Sequence, residues 1–152
     1  DYFNITRNTI VVIKRSENGK RWLINHDNLM NMTERLAAHF GLSLVEFRDD
    51  PSPSVLETME IFASAVLVIA PHGAGLSNMI YCKQSTYLVE ILCSPHYKGE
   101  GPSRVYKAAG NNLGMHYVGI MSQLEEPCGP IYVDFEYLLQ LVSNILHAIV
   151  SQ

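Results

Sequence analysis

The chain has 152 residues and a mass of 17.1 kDa, the size of one domain that can bury a substantial core. Apolar residues make up 47% and charged residues 17%, with a mean hydropathy of +0.05, which excludes an intrinsically disordered chain, and no apolar run approaches the ~18 residues of a membrane span. Eleven basic against fifteen acidic residues give a net charge of -4, which argues against a nucleic-acid partner, since such partners need a basic face.

Strand and helix alternate along the sequence. Thr9 to Ile13 is a short, β-branched apolar run, the pattern of a strand covered on both faces. A basic stretch from Lys14 to Arg21 follows and contains the turn pair Asn18-Gly19. Asn25 is expected to cap a helix carrying Leu29, Met32, Leu36 and Phe40 on one face, with Gly41 as its stop. Ser43 to Arg48 reads as the second strand, and Asp49 to Pro53 as a proline-bounded loop. Ser54 with Glu57 forms a capping box opening a helix to about Ala65. Val66 to Ala70 is the third strand, Pro71 to Gly75 a tight loop, and Leu76 to Tyr81 the start of another helix. Tyr87 to Leu92 is the fourth strand, followed by a long loop from Cys93 to Pro102. Arg104 to Asn112 reads as a helix and His116 to Met121 as a fifth strand. Asp134 is expected to cap a last helix with Leu138, Leu141, Val142, Ile145 and Ile149 on one face. The alternation predicts an α/β fold, a three-layer, doubly wound and mainly parallel sheet, formed by residues 1–152 as a single domain.

Three cysteines, Cys82, Cys93 and Cys128, without CxxC spacing suggest one disulfide and a buried thiol rather than a zinc site. The sequons Asn4-Ile5-Thr6 and Asn31-Met32-Thr33 incline the reading to a secreted context. The chain starts Asp1-Tyr2-Phe3, without an initiator methionine or a signal-peptide pattern, and reads as a piece of a longer protein.

In parallel sheets, ligands bind outside the carboxyl ends of the strands. That rule selects Lys14-Arg15, His72-Gly73-Ala74-Gly75 and Glu90, all on one edge of the sheet. The glycine turn leads into a helix, so its backbone N–H groups and the helix dipole suit an anion, although a tight turn requiring glycine explains it equally well. Lys14, Arg15, Lys20 and Arg21 crowd four of the eleven basic residues beside it, which favours phosphate. His72 is placed to donate to a phosphate oxygen or assist proton transfer. Glu90, in an apolar strand, needs a partner, either a ligand ribose or a neighbouring arginine. The third glycine of a dinucleotide fingerprint is replaced by Asn78, and there is no Gly-x-Ser-x-Gly elbow, Walker motif, HExxH or Asp-x-Asp.

The stretch Val68-Ile69-Ala70-Pro71-His72-Gly73-Ala74-Gly75-Leu76-Ser77-Asn78-Met79-Ile80-Tyr81, followed by Tyr87-Leu88-Val89-Glu90-Ile91, resembles the signature of glycosyltransferase family 61. Ile13-Lys14-Arg15, Arg21 and Leu23-Ile24-Asn25 are similar to its basic segment after strand one. The resemblance runs from about Thr9 to Leu92, and its one departure is Pro71, where a small or β-branched residue is expected. It implies the donor-binding half of a two-domain, inverting GT-B enzyme without an essential metal or cofactor. A UDP-sugar of GlcNAc or xylose type would be the donor, a protein or glycan the acceptor, and the lumen of the endoplasmic reticulum or Golgi the setting. By the same analogy Arg15 and Arg21, with Lys14, would contact the diphosphate. The turn through His72, Gly73, Ala74, Gly75, Leu76 and Asn78 would cradle it, and Glu90 would hold the ribose. The catalytic base is expected on the missing N-terminal domain, with His72 as the candidate within this chain. A non-catalytic nucleotide-binding module of the same fold, and more remotely a flavodoxin-like receiver or electron carrier, are the alternatives.

Overall fold

A computed structural model describes residues 4–17, 20–48, 50–93, 104–124 and 129–151. The Asn18-Gly19 pair, Asp49, Cys128 and nearly all of the loop after Cys93 lie outside them.

Five strands, β1 (Thr9–Lys14), β2 (Ser43–Arg48), β3 (Ala65–Pro71), β4 (Tyr87–Leu92) and β5 (His116–Met121), form one sheet in the order β2-β1-β3-β4-β5. Every pairing is parallel. The connections are α1 (His26–Phe40), α2 (Val55–Ala63), a 3-10 helix (Ala74–Tyr81) and α3 (Val105–Asn112), and α4 (Phe135–Val150) closes the chain.

The apolar strands are double-sided because their side chains alternate. Ile10 and Val12 of β1, Leu67 and Ile69 of β3, and Val89 and Ile91 of β4 pack with Leu29 and Met32 of α1 and Leu138, Val142 and Ile145 of α4. Val11, Ile13, Val68, Ala70 and Leu88 face the other way, onto Phe62 of α2, Leu76 and Met79 of the 3-10 helix, and Tyr106 and Ala109 of α3. The expected three-layer, doubly wound sheet is therefore present, and wholly parallel. Between β1 and β3 the register steps from Thr9↔Ala65 to Ile10↔Leu67, so Val66 is a bulged extra residue.

The element ends follow local chemistry. The Ser54–Glu57 capping box is complete: the Glu57 N–H donates to Ser54 Oγ at 3.2 Å and the Ser54 N–H to Glu57 Oε2 at 2.8 Å. Asp134 Oδ1 accepts from the Tyr137 N–H at 2.8 Å, and Gly41 ends α1 in the left-handed conformation at φ 67°. Three expectations are corrected. Asn25 precedes α1 but makes no capping bond; its Nδ2 donates to the Val133 carbonyl at 2.7 Å, tying residues 21–25 beside 129–133, where Leu23 bridges Ile131. The second helix stops at Ala63, because Ala65 already belongs to β3. The helix after the glycine turn is 3-10 throughout. Eight residues at about 2 Å each retrace most of a strand's length, which an α-helix of eight, at about 1.5 Å each, falls short of.

The Cys82 thiol is free and buried, and burial pushes it up to about 12, which makes it inert. No described helix is long and apolar enough to cross a membrane.

Candidate functional site

In the order 2-1-3-4-5 the chain leaves β1 toward one side of the sheet and β3 toward the other, so the carboxyl ends of β1 and β3 flank a crevice. Pro71 helps to open it. Paired residues of β1 and β3 extend only to Val12↔Ile69, and a proline has no N–H to carry the ladder on. On its other side β3 stays closed, with the His72 N–H donating to the Ile91 carbonyl at 2.8 Å. Pro71 is thus the last residue of β3, at the mouth of the crevice.

Arg15 reaches across this gap, and its Nη1 donates to the His72 carbonyl at 3.0 Å. Gly73 is buried against the guanidinium: a Cβ there would stand 1.4 Å from Arg15 Nη1. A Cβ on Gly75 would stand 3.1 Å from Ile13 Cγ2, so this glycine lets the turn lie close on β1. The Leu76 N–H donates to the Gly73 carbonyl at 3.0 Å, and Asn78 Nδ2 to the Gly75 carbonyl at 3.1 Å, which fixes the turn internally. Ala74 is exposed, whereas the Leu76 side chain is buried in the core.

Behind the turn lies a buried polar chain. Glu90 has no solvent-accessible surface. Its Oε1 is 2.5 Å from His72 Nδ1, and its Oε2 accepts from the Tyr117 hydroxyl at 2.7 Å. Both carboxylate oxygens of Glu90 are thus bonded within the protein, and neither faces solvent. Among the described residues its partners are His72 and Tyr117 rather than an arginine. Burial, and then the Glu90 hydrogen bond and charge, raise the Tyr117 phenol well above its ordinary range, which keeps it a proton donor. The Tyr106 ring packs edge-on to His72 with centroids 5.5 Å apart. Sequence reasoning missed Tyr117. The available signal was the demand of a buried carboxylate for hydrogen-bond donors.

The basic cluster divides. Lys14 stands with Arg15 on a small cleft that Trp22, His26 and Asp27 also line, and its Nζ is 4.0 Å from Asp27 Oδ1. Lys20 is exposed. Arg21 has left-handed backbone, φ 66°, and its N–H donates to the Gly129 carbonyl at 3.0 Å, which holds it to the 129–133 segment rather than to the glycine turn. A second histidine–carboxylate pair lies nearby: His26 Nε2 is 2.7 Å from Glu46 Oε1, and Arg48 Nε donates to Glu46 Oε2. Burial works to raise the Glu46 carboxyl, but the bonds from His26 and Arg48 outweigh it and hold it below its ordinary range.

A basic, glycine-floored crevice of this kind suits an anionic ligand. Among solved structures, diflavin flavoprotein A3 from Nostoc sp. is similar with a TM-score of 0.56 at 12% identity, over 93% of this chain and 90% of that one, a likeness of fold alone. No curated protein matches the sequence. The model of the family Glycosyltransferase 61 matches residues 1–89, more than half of the chain, including Arg15 and the whole glycine turn. The chain therefore belongs to glycosyltransferase family 61, whose class of reaction is the transfer of a sugar from a donor to an acceptor.

Proposed function

We propose that this domain binds the nucleoside-diphosphate portion of a sugar donor, of UDP type, in the crevice between β1 and β3. The observation that carries the reading is the Arg15–His72 carbonyl bond, which brings a fixed cation to the glycine turn at the switch point of the sheet. Arg15 and Lys14 offer the positive charge that a diphosphate leaving group needs, and the backbone from Gly73 to Asn78 lies against it. On this reading cationic side chains take the part that a metal plays in other transferases, and attack by an acceptor hydroxyl inverts the anomeric centre. Arg21 reaches the ligand only from the flank, through its place beside Gly129.

The acceptor, a protein or glycan, is assigned to a second domain facing the same edge. Ile24, Val55, Leu56 and Val105, at the starts of α1, α2 and α3, support this: all lie at the carboxyl end of the sheet, and each is between 48% and 71% exposed. The lumen of the endoplasmic reticulum or Golgi is the proposed setting. GlcNAc or xylose is the proposed class of sugar.

Calorimetric titration with UDP tests the donor site. Wild-type chain is expected to bind, and Arg15→Ala to bind about tenfold or more weakly, the weight of one charge-assisted hydrogen bond. Equal affinity in the two proteins would contradict the reading.

A further inference from the structure

Glu90 lies just beyond the residues that the family model matches, and Tyr117 far beyond them. Their geometry is specific. β4 and β5 pair in register so that Glu90 lies opposite Gly119. A Cβ on Gly119 would stand 2.8 Å from the Tyr117 hydroxyl and 3.2 Å from Tyr117 Cε1. The missing side chain thus leaves the space through which the phenol reaches back over its own strand to Glu90. A glycine in the middle of a strand otherwise weakens it, so the position has a use that outweighs that cost.

The carboxylate fixed in this way has one oxygen on Tyr117 and the other on His72 Nδ1. A buried carboxylate accepts at both oxygens, so the proton between Glu90 and the ring resides on Nδ1. That sets the tautomer of His72, and Nε2 becomes the ring nitrogen left for a ligand; among the described residues it has no protein partner. The imidazole side chain is 16% exposed, so part of the ring reaches solvent. The Tyr106 ring and the backbone bonds of His72 to Ile91 and Arg15 complete the clamp.

We propose that Glu90 and Tyr117 are positioning residues that act through His72, fixing Nδ1–H inward and presenting Nε2 to a phosphate oxygen of the donor. The inference rests on the donor-site reading for the identity of the ligand. With Glu90 on one side and a phosphate on the other, the ring holds both protons and donates at each nitrogen, so it stabilises the diphosphate as charge builds on it. Gly119 serves the same end by making room for the phenol.

The test is nitrogen-15 NMR of the histidine rings in the 152-residue chain, with His72 identified by its loss in His72→Gln, first without ligand and then with UDP. Wild type is expected to show a protonated Nδ1 and a Nε2 without a proton when the ring is neutral, with Nε2 gaining a proton on adding UDP. In Glu90→Gln the amide oxygen still accepts from Tyr117, so the amide nitrogen faces the ring, and the tautomer inverts. UDP affinity is expected to fall five- to tenfold. Tyr117→Phe, which leaves the packing intact, is expected to broaden the Nδ1–H signal and cost about threefold in UDP affinity. A His72 tautomer unchanged in Glu90→Gln, or an unchanged Nδ1–H signal and UDP affinity in Tyr117→Phe, would overturn the proposal. Because the tautomer is read without ligand, a wild type that ignores UDP contradicts the donor-site reading while the ring's orientation is still decided separately.

Discussion

A guanidinium and a missing methyl group decide most of the site's character. Gly73→Ala would place a Cβ within 1.4 Å of Arg15 Nη1, so the arginine must swing away. The expected result is a loss of UDP affinity matching that of Arg15→Ala, about tenfold, with little further loss in the double variant, measured by calorimetry. A separate effect belongs to Glu46. Its carboxyl is depressed in the folded chain, so its contribution to stability is full above the ordinary value near 4.5 and is lost as pH falls through the lower folded value. Urea unfolding of wild type and Glu46→Gln is expected to show a stability gap at about pH 6 that shrinks below about pH 4. A constant gap would mean that the His26–Glu46–Arg48 network carries no such linkage. At this scale sequence reasoning singled out Arg15, His72 and Glu90, which the fold brings close together, but not the phenol bonded to Glu90. Which residue of β5 stands beside Glu90 depends on strand register, and register is a tertiary property that no local pattern carries.

Elements whose signals are local were legible, and those settled by their neighbours were not. The strands β1 and β3 announced themselves by continuous apolar runs, and α2 by Ser54 and Glu57, both of whose reciprocal bonds form. Ser54→Ala is expected to lower Tm by about 2–4 °C in a thermal scan, since one capping residue is lost from a domain of this size. Gly41→Ala is a cleaner probe of backbone conformation. Nothing stands within 4 Å of the added Cβ, so the whole cost, about 1 kcal/mol by chemical denaturation, comes from the left-handed φ of 67°. Asn25 misled because the same side chain that suits a cap also suits a bond to the Val133 carbonyl, and the 129–133 segment was there to take it. The 3-10 helix misled because its winding answers the distance between the ends of β3 and β4, not the propensities of Ala74 to Tyr81.

At the scale of the molecule, one edge of the sheet gathers the arginine, the glycine turn, the buried carboxylate chain and the exposed apolar starts of three helices. The proposed division of labour gives this chain the donor and another domain the acceptor. A transferase owes much of its rate to holding both reactants in line in a site closed to water, and half of such a cleft supplies neither. The purified chain, incubated with UDP-sugars and candidate acceptors, is therefore expected to transfer no sugar detectable by mass spectrometry; transfer abolished by His72→Ala would mean that the chain is a complete enzyme. The most direct test of the account is where a nucleoside diphosphate lands. In an amide NMR titration of the 152-residue chain with UDP, the account predicts shifts concentrated at Lys14, Arg15 and the residues from His72 to Asn78, with the indole of Trp22 responding from the adjoining cleft. Shifts centred on the opposite edge of the sheet, or none at saturating UDP, would contradict it.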